Sequence, residues 1–243
     1  MIDELGYVEE IRHMFGTLWD MGELVTSSTG VKTLEIVGAS FIADEDCIFG
    51  KVDVDYVERE KAWYETQVCN VNAMSGKVPK IWQDVAAADG TINSNYGWAL
   101  FSEENGSQYD RVVEELKSDP TSRRGLAIYT RPSMHVDAFR DGMRDFMCTN
   151  TVQYLVRDDE LVSIVNMRSN DAVYGYKNDY AWQKHVADKM AADLGVTTGP
   201  IVWNAGSLHV YERHFYLVHH FWNTGEIHVS REDYDRMYGE DAL

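Results

Sequence analysis

Proline is scarce in this chain, with four in 243 residues, and no Pro/Gly/Ser-rich stretch separates one part from another. Without a linker, an internal repeat or a low-complexity tract, a single domain over 1–243 is the expected organisation. Cysteine is scarcer still: Cys47, Cys69 and Cys148. An odd, sparse set builds no disulfide framework, no CxxC pair suggests zinc, and a reducing compartment is the simplest setting. No apolar run approaches the ~20 residues that cross a bilayer. The opening MIDELGYVEEIRH is acidic and lacks the charged-then-apolar order of a secretion signal. A soluble cytoplasmic protein with no membrane contact is expected. Positive charge is also short, with 22 Lys and Arg against 40 Asp and Glu, a net −18. Affinity for polyphosphate scales with the phosphates neutralised, so direct nucleic-acid binding is disfavoured as a whole-surface property. One phosphate held by a few arginines in a cleft remains compatible with that background, as does the plain reading that the charge serves solubility.

What is present mixes helical and strand periodicity. VEEIRHMFGTLWDMGEL reads as an amphipathic helix and VKTLEIVGASFIA as a strand. DVDYVEREKAWYETQV is helical with Asp53 or Asp55 as cap, and YDRVVEELKSD is a helix stopped at Asp119-Pro120. GLAIYTR reads as a buried strand, and VQYLVRDDELVSIVNMRS as a hairpin turning near Asp158-Asp159. NDYAWQKHVADKMAADLG is a helix closed by Gly195. IVWNAGSLHVY reads as a strand pair or one bent strand, and RHFYLVHHFWNTG as a short helix. Strands and helices do not alternate strictly, which predicts an α+β fold with helices on a mixed sheet.

Several segments carry residues suited to chemistry, each with a plainer reading beside it. Cys148 in DFMCTNTVQYLV is either a small buried hydrophobe or a nucleophile. Arg123 and Arg124 in SRRG form a solvated turn or a fork for phosphate, which guanidinium binds bidentately. Arg168 and Ser169 end an apolar strand, with Asn170, Asp171, Asn178 and Asp179 following. Asp179 is a helix cap or a ligand contact, and Arg168 leaves a buried strand needing a partner. Four of the eight histidines crowd into GSLHVYERHFYLVHH at positions 209, 214, 219 and 220. That spacing matches neither HExxH nor an i,i+4 pair, so no metal is expected. His209 and Tyr211, two apart, share one face of a strand and can hydrogen-bond a sugar hydroxyl. Glu60, four residues from Tyr64 and next to an apolar stripe, reads as a surface glutamate in an i,i+4 network.

Taken in order, TGVKTLEIVGASF, INSNYGWA, SRRG, IYTRPSM, DFMCTNTVQYL, NMRSND, NDYAWQK and GSLHVYERHFYLV resemble the thymidylate synthase family. The likeness extends to nearly all 243 residues for its deoxycytidylate hydroxymethylase branch, known from T-even-type bacteriophages. The resemblance implies one catalytic domain, a mixed β-sheet flanked by helices, and a homodimer formed by packing sheet on sheet. It implies dCMP as acceptor and 5,10-methylenetetrahydrofolate as one-carbon donor. Cys148 matches the nucleophile and Glu60 the general acid/base. Arg168 and Ser169 match phosphate ligands, with Asn170 beside them among the substrate-binding residues. Arg123 and Arg124 match arginines that reach the phosphate across the dimer interface, and His209 and Tyr211 match the sugar-binding pair. Trp82, Tyr96 and Asp171 match positions near the folate. Phages of this group place the modified nucleotide in their DNA, which would put the enzyme in the host cytoplasm, in assemblies with other deoxynucleotide-synthesis enzymes.

Asp179 stands where thymidylate synthases have asparagine. An asparagine amide answers uracil's carbonyl and ring N–H together. Against cytosine's amino group and bare ring nitrogen it sets donor on donor and acceptor on acceptor, at roughly 1–3 kcal/mol per mismatched group. A carboxyl shares one proton with cytosine instead, either donating from its neutral form or facing a protonated ring as carboxylate. Cytosine over uracil follows. The implied chemistry has the Cys148 thiolate add to ring carbon 6, after which carbon 5 attacks the folate's methylene. Glu60 moves protons through water, and water rather than hydride completes the reaction. Three departures from thymidylate synthases accompany the match. Met147-Cys148-Thr149 replaces Pro-Cys-His, a version shared with the phage branch. Ser28 replaces a basic residue, and the terminal YGEDAL does not resemble the tail that closes over folate. The alternatives are a dUMP- or CMP-directed enzyme of the same family and a non-catalytic nucleotide-binding relative.

Overall fold

A computed structural model describes residues 4–27 and 30–239. Ser28 and the terminal 240–243 of the YGEDAL tail lie outside the described residues. In chain order the elements are β1 (Gly6–Tyr7), α1 (Val8–Met21), β2 (Val25–Thr26), β3 (Lys32–Ile42), α2 (Val54–Glu65), α3 (Lys80–Val85), α4 (Tyr96–Phe101) and α5 (Gln108–Ser118). There follow β4 (Leu126–Ile128), α6 (Met134–Asp137), β5 (Thr149–Arg157), β6 (Glu160–Met167), β7 (Asn170–Asp171), α7 (Gly175–Leu194), β8 (Thr197–Tyr211), α8 (Phe215–Thr224) and α9 (Arg231–Tyr238). The architecture is the expected α+β mixed sheet flanked by helices. The chain divides into two compact units.

The first unit takes residues 1–52, 167–183 and 200–243. β3 and β8 pair antiparallel from Thr33↔Tyr211 to Ile42↔Val202. β1 adds parallel to β3, and β7 adds parallel to β8. β8 is one continuous strand, so the bent-strand reading holds over the strand pair. α1 buries Val8, Ile11 and Phe15, an i, i+3, i+7 stripe. From the same helix Arg12, 5% exposed, donates to the Ile48 and Cys47 carbonyls and bidentately to Glu45. That fixes the loop after β3 by charge-assisted bonds.

The second unit takes residues 53–166 and 184–199. Its strands run in the order β6-β5-β4. The β5–β6 hairpin turns on Asp158 and Asp159, with φ of 52° and 62°. Two successive left-handed residues are what a two-residue hairpin turn requires, and Asp tolerates them. α5 buries Tyr109, Val112, Val113 and Leu116. Asp53, not Asp55, caps α2, accepting from the Tyr56 N–H at 3.0 Å.

Candidate active site

In the second unit the site begins on α2. Val57, Glu60, Trp63 and Tyr64 form its buried face, at the helical spacing that puts them in one stripe. Glu60 is therefore not the surface member of an i,i+4 network. It is 5% exposed. Tyr56, one turn earlier, donates its hydroxyl to Glu60 Oε1. The Trp82 indole N–H from α3 points at the same pair, 2.9 Å from the Tyr56 oxygen and 3.2 Å from Glu60 Oε1. Burial raises the Glu60 pKa to about 7, against the lowering effect of both donors. A carboxyl poised there can both take and return a proton near neutrality.

Trp82 starts a continuous aromatic series. It meets Trp63 edge-on at 5.1 Å, Trp63 stacks on Tyr64, and Tyr64 stacks on Tyr96 at 5.1 Å. Tyr96 is held because Asn95 caps α4 through the Trp98 N–H and donates to the Trp63 and Val68 carbonyls. Gly97 makes this approach possible: a Cβ there would lie 1.8 Å from the Tyr64 carbonyl oxygen. α3 buries none of its six residues, and Ile81 beside Trp82 is 63% exposed. An exposed apolar edge next to an indole suits a flat, partly apolar ring system.

Cys148, in no disulfide, is half-buried directly before β5. Its lead-in is pinned by Asp145, which accepts from the Asn93 and Ser94 backbone N–H groups and the Ser94 hydroxyl. Met147 and Thr149 on either side are fully buried. Arg123 and Arg124 follow α5. Arg124, whose side chain is 78% exposed, reaches Glu115 Oε1 at 2.6 Å, and the Ser122 hydroxyl donates to the same oxygen. These two donors hold the Glu115 carboxyl below its ordinary range.

The first unit gathers the other group. Arg168 and Ser169 follow β6 directly. Asn170 and Asp171 then pair with Leu208 and His209 of β8. Asp171 Oδ1 accepts from the Val173 and Tyr174 N–H groups, and its Oδ2 faces Arg213 at 3.5 Å. Asp179 is not the helix cap: α7 starts at Gly175, four residues earlier. The Asn170 amide donates to Asp179 Oδ2 at 2.8 Å. His209 and Tyr211 lie on one face as expected, ring edge to ring face at 4.9 Å. Burial keeps His209 below the usual imidazole range against the pull of Asp171, so a neutral ring is presented. Ser207 bridges it, lying 3.3 Å from Nδ1 and donating to Glu35, the β3 partner of His209. The other histidines of this stretch go elsewhere. His214 packs on Tyr174, His219 on Tyr234, and His220 faces Glu226.

Tyr56, Asp145, Ser207, Glu35 and Arg213 escaped the sequence reading. Only Tyr56 carried a signal, since it stands one turn before Glu60 on the same helix.

The thymidylate synthase family profile matches residues 9–231. Deoxycytidylate 5-hydroxymethyltransferase of Enterobacteria phage T4 is 54% identical, over 98% of this chain and 100% of the relative. The enzyme of the same name from phage T2 is also 54% identical, over 97% and 98%. The solved structure of thermostable thymidylate synthase A from Bacillus subtilis superposes with a TM-score of 0.67 at 21% identity, covering 89% of this chain and 84% of that one. That last likeness speaks for the fold, and the profile and the close relatives for descent: this chain belongs to the thymidylate synthase family.

Proposed function

We propose that this protein transfers a one-carbon unit to carbon 5 of dCMP and completes the reaction with water, giving 5-hydroxymethyl-dCMP. The observation that carries this reading is 54% identity over the whole length of relatives named for that reaction. The thymidylate synthase family uses methylenetetrahydrofolate with a nucleotide and is typically homodimeric. When bound, that folate supplies the carbon at the oxidation level of formaldehyde. Trp82 and Tyr96, with Ile81 exposed beside them, are the residues that would hold it.

In this reading the Cys148 thiolate bonds to carbon 6 of the base, and carbon 5 becomes nucleophilic; once water has added to the new one-carbon group, the bond to carbon 6 breaks, the carbon 5–6 double bond re-forms and the thiolate is regenerated. Glu60, with its pKa near 7, takes up and returns protons through water as the carbon 5 hydrogen leaves. Tyr56 and Trp82 keep its carboxyl aimed. Asp179 reads the amino face of cytosine. Arg168 and Ser169 hold the phosphate, joined by Arg123 and Arg124 of the partner subunit's sheet-packed copy. His209 and Tyr211 hold the sugar. Asp171 orders the turn before α7 through its Val173 bond. The product serves modified DNA synthesis in a phage-infected cell.

The test is mass spectrometry of products after competition among dCMP, dUMP and CMP with methylenetetrahydrofolate. A hydroxymethyl group on dCMP is expected. A methyl group on any nucleotide overturns the water step. Modification of dUMP or CMP overturns the specificity. No product, and no release of the carbon 5 hydrogen, favours a binding protein.

A further inference from the structure

Asn170 is 2% exposed and sits on β7, paired in parallel with Leu208. Its amide nitrogen donates to Asp179 Oδ2 at 2.8 Å. Its own carbonyl oxygen, Oδ1, is buried with no hydrogen-bond partner. The amide is also hemmed in from the start of α7. A Cβ on Gly175 would come within 3.1 Å of Asn170 Nδ2 and 3.7 Å of Asp179 Oδ2. A buried amide in so close a slot has two settings. With its NH₂ toward Asp179 it favours a carboxylate there, because a donated hydrogen bond stabilises the charged form. Turned end for end it would set oxygen against oxygen, which only a protonated carboxyl tolerates. The structure has the first setting, with Oδ1 left buried and without a partner.

We propose that Asn170 is a positioning residue for Asp179: its amide donates to one carboxyl oxygen and so fixes how the carboxyl is presented to the base. The inference rests on the reading of Asp179 as the base-recognising residue. It makes specificity the property of a pair of residues, one of which need not touch the nucleotide.

The experiment is a double-mutant cycle with Asn170→Leu and Asp179→Asn, reading kcat/KM for dCMP and dUMP across pH, with Tm as the folding control. Asn170→Leu keeps the branched shape and removes the donor. Loss of a hydrogen bond to a charged group predicts about a 10- to 100-fold fall in kcat/KM for dCMP. The preference for dCMP over dUMP is expected to fall by a similar factor, because the lost donor acts only through Asp179. In the Asp179→Asn background, assayed on dUMP, the same substitution is expected to cost only severalfold. Gly175→Ala, which crowds the amide from the other side, should lower the preference for dCMP in the same direction. It carries the test alone if Asn170→Leu does not fold. Equal losses in both backgrounds, or an unchanged preference for dCMP over dUMP, would mean Asn170 merely fills space, and the inference falls while the reading of Asp179 stands. If Asp179→Asn keeps full cytosine preference, the reading of Asp179 falls and takes this inference with it.

Discussion

Replacing Glu60 by glutamine should abolish turnover and stabilise the protein, increasingly so as pH rises. Glu60 is buried among Val57, Trp63 and Tyr64, and burial lifts its pKa from 4.5 to about 7. The unfolded chain has its glutamates near the ordinary value. Below pH 4.5 the carboxyl is protonated in both states and nothing is lost. Between 4.5 and 7 the unfolded state releases a proton that the folded state keeps, so stability falls as pH rises. Above 7 the folded state carries a buried charge and the whole penalty is present. At about 1.4 kcal/mol per unit, the interval from 4.5 to about 7 amounts to ~3 kcal/mol. Glutamine has the same shape, accepts from Tyr56 and Trp82 through its own oxygen, and never ionises. The two proteins should therefore differ by a constant at low pH, and by ~3 kcal/mol more at pH 8 in favour of the variant. For a chain of this size that is roughly 6–12 °C in Tm. Scanning calorimetry of both proteins at half-unit intervals from pH 4.5 to 8 measures it. Parallel Tm curves would refute the reasoning, because they would mean the Glu60 carboxyl titrates alike folded and unfolded.

Cys148→Ser is expected to leave Tm within about 2 °C and to remove turnover and carbon 5 hydrogen release together, measured by tritium exchange. Tyr56→Phe removes a donor that favours ionised Glu60, so the acidic limb of the pH–rate profile should move up by about one unit. Gly97→Ala must displace the α4 start from the Tyr64 carbonyl and should lower stability by more than ~2 kcal/mol, read by chemical denaturation. Glu115→Gln releases Arg124 from its 2.6 Å partner. If Arg124 serves the nucleotide phosphate, KM should fall by a factor of about 1.5–5, the worth of an exposed ion pair.

Long elements with their own signals were legible in the sequence. The α1 stripe, the Asp53 cap and the Asp158-Asp159 turn are each dictated by residues within a few positions of one another, and each forms where local chemistry puts it. The start of α7 is different. It begins at Gly175 and not Asn178 because Tyr176 is fully buried with its hydroxyl on the Glu45 carbonyl, and Lys177 reaches the Lys51 carbonyl at 2.7 Å. Those partners lie more than 120 residues away in sequence, and no local pattern encodes them. α3 and α4, six residues each, are too short to hold as isolated helices. They exist because Trp82 and Tyr96 have aromatic partners on α2.

The site divides along the same line. Cys148 and the arginines were visible as residue types, but their roles came from the family likeness and not from spacing. Glu60 was the residue whose local and tertiary readings conflicted. In sequence it sits within the charged stretch Glu58-Arg59-Glu60-Lys61, which reads as a solvated helix face. Its helical phase nonetheless places it with Val57, Trp63 and Tyr64, and a charge on an otherwise apolar stripe is a local inconsistency that folding alone would not favour. The neighbouring Arg59 and Lys61 resolve it outward, Arg59 to Asp55 and Lys61 to Glu58. Glu60 alone of the four turns inward and meets two donors. A glutamate kept there costs ~3 kcal/mol of stability above pH 7, and a pKa of about 7 is the property that the proton transfer proposed for it requires.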